Sequence, residues 1–209
     1  MRWLLILLLS APFARAEGER AGAFDYYVLS LSWSPNWCAL EGDARGATQC
    51  DPAGDFGWVL HGLWPQNRSG WPSYCRTDAR DPSRTQTRAM ADIMGGAGPA
   101  WYQWKKHGRC SGLSASAYFG TARRAYEAVT RPDVFRKLDS AVRLPASVVE
   151  EAFLKVNPGL TAGMITITCA RGMIQEARIC LTKDLQFREC GADIRRDCRM
   201  RDAVMDAVR

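Results

Sequence analysis

The chain has 209 residues and only two histidines, His61 and His107, so imidazole chemistry has little choice of place. His61 lies in Trp58-Val59-Leu60-His61-Gly62-Leu63-Trp64-Pro65-Gln66. His107 lies in Trp101-Tyr102-Gln103-Trp104-Lys105-Lys106-His107-Gly108-Arg109-Cys110. If the second segment is helical, Gln103 and His107 stand four apart, as do Tyr102 and Lys106, and the four side chains share a face. That face offers a base, a cation and two hydrogen-bonding groups. Two imidazoles suit a reaction that needs one base and one acid near neutral pH. Attack of a ribose 2′-hydroxyl on its own phosphate is such a reaction. The base takes the hydroxyl proton, the acid protonates the leaving 5′-oxygen, and a lysine offsets the charge gathering on the phosphoryl oxygens. The nucleophile belongs to the substrate, so no enzymic Ser or Cys is required.

The elements that must position these residues read as a mixture of strands and helices. Tyr27, Leu29, Leu31 and Trp33 alternate with Val28, Ser30 and Ser32, which predicts a strand with at least one buried face. Gly57 to Gly62 reads as a short strand ended by its glycine. Ser83 to Met94 reads as a helix stopped by Gly95-Gly96. Ser114 to Thr130, with Phe119, Ala122, Tyr126 and Val129 on one stripe, reads as an amphipathic helix stopped by Pro132. Ser147-Val148-Val149-Glu150 has the pattern of a capping box opening a helix that ends near Asn157-Pro158-Gly159. Met164 to Cys169 and Ile174 to Leu181 read as strands, and Gln186 to Cys190 as a hairpin partner returning after a turn at Lys183-Asp184. There is no strict βαβ alternation. The expected fold class is therefore α+β, one domain, with a largely antiparallel sheet flanked by helices.

A basic start, the apolar run Trp3 to Leu9 and the small residues around Ala14 and Ala16 read as a signal peptide. The run is far shorter than the roughly 20 apolar residues of a bilayer span. Residues 1–16 are thus expected to be removed near Ala16, leaving 17–209 as one catalytic domain, secreted or periplasmic, with no membrane segment in its mature form. The eight cysteines all lie in that mature part. In an oxidising compartment an even set reads as four disulfides, whose connectivity spacing alone leaves open. No CxxC pair is present and the histidines lack zinc-ligand spacing, so no metal site and no cofactor are expected. Without Arg2 and Arg15 the chain carries 26 basic against 22 acidic residues, a mild excess compatible with a polyanionic ligand. The composition excludes a disordered or fibrous chain.

His-Gly-Leu-Trp-Pro-Gln and Lys-His-Gly-x-Cys resemble the two active-site segments of the ribonuclease T2 family. Asp25 to Pro35 is similar to that family's first strand, and Arg178 to Leu185 to a segment near its end. The resemblance runs from about Phe24 to Cys198. It implies an α+β endoribonuclease, metal-independent, that leaves a 2′,3′-cyclic phosphate and then a 3′-phosphate. By the same resemblance His107 is the general base, His61 the general acid and Lys106 the cation at the phosphorane-like state. Trp64 and Gln66 line the upstream base site and Trp71 stacks there; Tyr102, where the chain departs from the family's pattern, is expected to meet the phosphate through its own hydroxyl. The resemblance pairs Cys75 with Cys110 and, less directly, Cys38 with Cys50. Cys169, Cys180, Cys190 and Cys198 then pair among themselves. RNA is the expected substrate, and the protein is expected to act as a monomer.

Two positions depart from the family's pattern. Many members carry His-Glu-Trp where this chain has Tyr102-Gln103-Trp104. Tyrosine still donates a hydrogen bond. An amide at position 103 always donates, as a protonated carboxylic acid would, but lacks the charge that would favour protonation of His107. Gln103 therefore also supports an alternative, a catalytically impaired relative that binds RNA or a protein partner, whereas His61, Lys106 and His107 oppose it. A disulfide-stabilised binding module with no nucleic-acid role would leave both histidine segments unexplained.

Overall fold

The computed structural model describes residues 19–209; the expected signal peptide falls outside them. Six strands, β1 (Tyr26–Trp33), β2 (Trp58–Gln66), β3 (Val142–Leu144), β4 (Ile165–Ala170), β5 (Met173–Leu181) and β6 (Ala203–Met205), form one sheet. The order is β2-β1-β5-β6-β3, with β4 also paired to β5. The pairings are antiparallel except for one parallel bridge between β5 and β6. The helices are α1 (Ser34–Trp37), α2 (Arg84–Arg88), α3 (Ala91–Met94), α4 (Ala97–Lys106), α5 (Ala115–Ala128) and α6 (Ala146–Val156). The α+β expectation, one domain with a mostly antiparallel sheet, is what the structure shows.

β1 is the spine of the fold, and all eight of its residues are buried. Tyr27, Leu29, Leu31 and Trp33 join the main core, where β5 contributes Ala177, Ile179 and Leu181, α5 contributes Tyr118, Phe119 and Ala122, and α6 contributes Val149 and Phe153. Tyr26 and Val28 belong to a smaller cluster on the opposite face, with Cys180, Cys190 and Ile194. Ser30 and Ser32 share that second face by the alternation of the strand. They are buried, leaving room beneath the site described below.

Four local expectations are corrected. β2 runs through Gly62 to Gln66 instead of ending at the glycine; Pro65 is tolerated because β2 is an edge strand. The stretch Ser83 to Met94 is two short helices, broken around Met90, with a capping box between Ser83 and Gln86. The helix at 146–156 begins at Ala146 behind Pro145, with no side-chain cap; proline's fixed φ starts the turn, so Ser147 lies inside the helix and caps nothing. Gln186 to Cys190 contributes one bridge, Phe187 to Leu181, rather than a hairpin strand, and the Cys180–Cys190 disulfide fastens the segment instead. Ser114 does cap its helix, accepting from the Ala117 N–H. The other disulfides are Cys38–Cys50, Cys75–Cys110 and Cys169–Cys198. Among the described residues no helix is long and apolar enough to cross a membrane.

Candidate active site

His61 is placed by a defect in the β1–β2 ladder. Ser30 pairs with Gly62 and Leu31 with Leu60, so His61 has no partner across β1 and is the extra residue of a β-bulge. Packing explains the bulge. Leu60 and Leu63 are three residues apart, and regular pleating would send them to opposite faces. One inserted residue lets both reach the core, opposite Leu31 and Leu29. The residue left over is His61, the only exposed position of β2.

From the bulge, His61 Nδ1 makes a hydrogen bond to Glu176 Oε1 on β5, across β1. Glu176 is 2% exposed. Its other oxygen accepts from Arg178 Nη2 at 2.6 Å and Nε at 2.8 Å. Burial alone would raise the Glu176 carboxyl. The His61 hydrogen bond and charge, together with Arg178, outweigh it and hold the group down at about 2. An ionised carboxylate only accepts, so the shared hydrogen sits on His61 Nδ1 and Nε2 is the nitrogen left for exchange.

Trp64 connects the two histidines. Its ring lies 5.2 Å from His61, edge-on, and 5.2 Å from His107, stacked, which caps the separation of the imidazoles at twice that distance. The Arg178 guanidinium sits 5.4 Å from the same indole. Trp64 Nε1 donates to Gln103 Oε1 at 2.8 Å. This hydrogen bond passes directly over Gly62: a Cβ there would lie 2.4 Å from both of its atoms. Glycine at 62 is a requirement of close approach, not of a turn.

His107 occupies the C-cap of α4, its N–H donating to the Gln103 carbonyl at 2.9 Å. It is 5% exposed, and its Nδ1 is buried with no hydrogen-bond partner among the described residues. Burial, then the positive charges of Lys106 and His61, lower the His107 ring to about 3, so it is neutral in ordinary buffers. Gly108 lets the chain turn beneath it, since a Cβ there would meet Trp104 at 2.6 Å and Tyr118 at 2.8 Å. The segment is tied down by the Cys75–Cys110 disulfide and by the Tyr74 N–H, which donates to the Lys106 carbonyl at 2.8 Å.

The helical face read from the sequence divides into two levels. Gln103 and His107 are buried, whereas Tyr102 is exposed and Lys106 half-buried, its Nζ 5.9 Å from the Tyr102 ring. His61, Tyr102, Gln103 and Glu176 line a cleft of about 560 Å³, to which Met94 and Pro99 add apolar wall. Two expected base-site residues stand outside this cluster. Gln66 is buried and directed at Asp193 Oδ2, 3.4 Å away. Trp71 is 56% exposed, on a loop pinned where Gly70 N–H donates to Asp193 and Arg68 N–H to Asp25. Glu176 and Arg178 are the site residues that the sequence reading missed. Their signal was a charged pair at i, i+2 in a mostly apolar strand.

The ribonuclease T2 family model matches residues 24–190. A ribonuclease of Aeromonas hydrophila is 43% identical over 124 residues, 54% of this chain and 53% of that protein. The Caenorhabditis elegans ribonuclease T2 protein rnst-2 is 26% identical over 219 residues, 92% of this chain and 76% of that one. The chain thus spans about half the length of the Aeromonas protein. Among solved structures, trichomaglin, described as a novel S-like ribonuclease, aligns with a TM-score of 0.65 over 89% of this chain and 99% of its own, at 18% identity. A match over most of the chain, a shared fold and two histidine segments meeting at one indole converge: the chain belongs to the ribonuclease T2 family.

Proposed function

We propose that this protein is an endoribonuclease that cleaves single-stranded RNA by transphosphorylation. The observation that carries the reading is the contrast between two imidazoles flanking one tryptophan. His107 is buried and neutral; His61 is exposed, with one nitrogen occupied and the other without a hydrogen-bond partner among the described residues. A neutral imidazole can accept a proton, and an imidazole whose Nε2 faces the solvent can deliver one to a leaving group. His107 takes the 2′-hydroxyl proton as the 2′-oxygen attacks phosphorus. His61 gives its Nε2 proton to the departing 5′-oxygen, leaving a 2′,3′-cyclic phosphate. In the second step water replaces the 5′-hydroxyl, the proton transfers reverse, and a 3′-phosphate remains. Lys106 offsets the phosphoryl charge. The Gln103 carbonyl is held by Trp64, so its NH₂ is free to donate to a phosphoryl oxygen. Tyr102 lines the same cleft and serves the phosphate as a second donor. Trp71 offers an exposed ring for base stacking.

The four disulfides support action outside the reducing cytosol, after removal of residues 1–16. The test is end-group analysis. Oxidised mature protein, incubated with single-stranded RNA in EDTA, should release fragments with 2′,3′-cyclic and then 3′-phosphate ends. Fragments with 5′-phosphate ends, or activity abolished by EDTA, would overturn the reading.

A further inference from the structure

We infer that Glu176, with Arg178 behind it, is a positioning residue for His61. The inference rests on His61 being the general acid. The carboxylate reaches this imidazole from β5, across β1.

The placement is built into the sheet. Glu176 pairs with Ser32 and Arg178 with Ser30. These small side chains on β1 leave a passage from β5 to the bulge on β2. Larger residues at 30 and 32 would close it. Glu176 is almost fully enclosed, and both of its oxygens are used, Oε1 by His61 and Oε2 by Arg178. A buried carboxylate is costly unless paired, and it is seldom placed in a central strand without need. Its hydrogen bond does two things for an acid. It keeps one hydrogen on Nδ1, so that the proton the charged ring gives up is the one on Nε2, and it fixes the plane of a ring on an exposed, bulged position. Arg178 keeps the carboxylate ionised and orients it from the far side.

The test separates leaving-group protonation from general damage. A dinucleoside monophosphate expels an alkoxide that needs a proton. The 3′-(4-nitrophenyl phosphate) of the same nucleoside expels a phenolate that does not. Glu176→Ala and Glu176→Gln are each expected to lose about 10–100-fold in kcat on the dinucleotide while staying within about threefold of native on the nitrophenyl ester, a smaller loss than deleting the acid itself. Glu176→Asp, which keeps a carboxylate, should recover part of the loss. His61→Ala should show the same split, more strongly. Equal losses on both substrates in the Glu176 variants, with the split retained in His61→Ala, would make Glu176 structural and overturn the inference. A His61→Ala variant that loses both substrates equally would instead remove His61 as the acid. Should the variants not fold, ¹⁵N NMR of the native protein decides: hydrogen on His61 Nδ1 in the neutral ring supports the inference, and the Nε2-only tautomer overturns it.

Discussion

Trp64 Nε1 lies 2.8 Å from Gln103 Oε1. An indole N–H can only donate, so the Gln103 amide has one orientation: oxygen to the tryptophan, NH₂ away from it and towards the cleft that Gln103 shares with His61. Glutamine here is a fixed donor, the role a protonated acid would otherwise fill.

Gln103→Glu is expected to fold as the native protein does, because a carboxylate oxygen accepts equally well from Trp64. The native enzyme should be active, with turnover at the pH optimum changed less than about tenfold, below the ~10²–10⁴-fold worth of a full acid or base. The new charge should move the acid limb of kcat/KM upwards, since a nearby anion favours protonated His107. A native protein without activity, rescued by Gln103→Glu, would contradict the donor role.

Gly62→Ala tests the close approach over which that hydrogen bond passes. The added methyl meets Gln103 and Trp64 at 2.4 Å, so the two must separate. Overpacking of this kind costs about 1–3 kcal/mol, readable by chemical denaturation, and activity should fall with it. Unchanged stability and rate would show that the pair moves aside freely.

Stability should fall in acid, for two reasons acting in the same direction. Glu176 is held near 2 in the folded protein, so its contribution is complete above its unfolded value and is lost as pH falls from there towards 2. His107 is held near 3. Below its unfolded value of about 6.5 the unfolded chain binds a proton that the folded chain refuses, so stability drops between about 6.5 and 3. Between pH 7 and pH 4 the His107 difference dominates, and the loss should be on the order of a few kcal/mol, because each tenfold difference in proton affinity between the folded and unfolded chain is worth about 1.4 kcal/mol. Urea denaturation at pH 7 and pH 4 should show the loss, and His107→Gln should show less of it. An identical pH dependence in that variant would place the titration elsewhere.

Trp71→Ala should weaken binding of a non-cleavable 2′-deoxy oligonucleotide by about 1–3 kcal/mol, the worth of one stacked base, with little effect on stability because the side chain is 56% exposed. A stability loss without an affinity loss would make Trp71 a packing residue.

Much of the scaffold was legible because its signals are local. The alternation from Tyr27 to Trp33 is β1, and Ser114 caps α5. Of the site, His61, Gln103 and His107 were legible as motif residues, and the structure brings them together around Trp64. The bulge was not legible, because the three-residue step from Leu60 to Leu63 breaks period-two alternation, and Gly62 then reads as a terminator. Glu176 was hidden for a different reason. Its partner lies 115 residues away, and only the sheet order β2-β1-β5 makes them neighbours. The Ser147 capping pattern misled because Pro145 had already begun the helix.

The most direct test is the rate at which His61→Ala and His107→Ala, each verified as folded, cleave a dinucleoside monophosphate to its cyclic phosphate. Each deletion is expected to reduce kcat/KM by about 10²–10⁴-fold, the worth of one acid or base. Either variant cleaving within a few-fold of the native rate would contradict the assignment of this reaction to the two imidazoles.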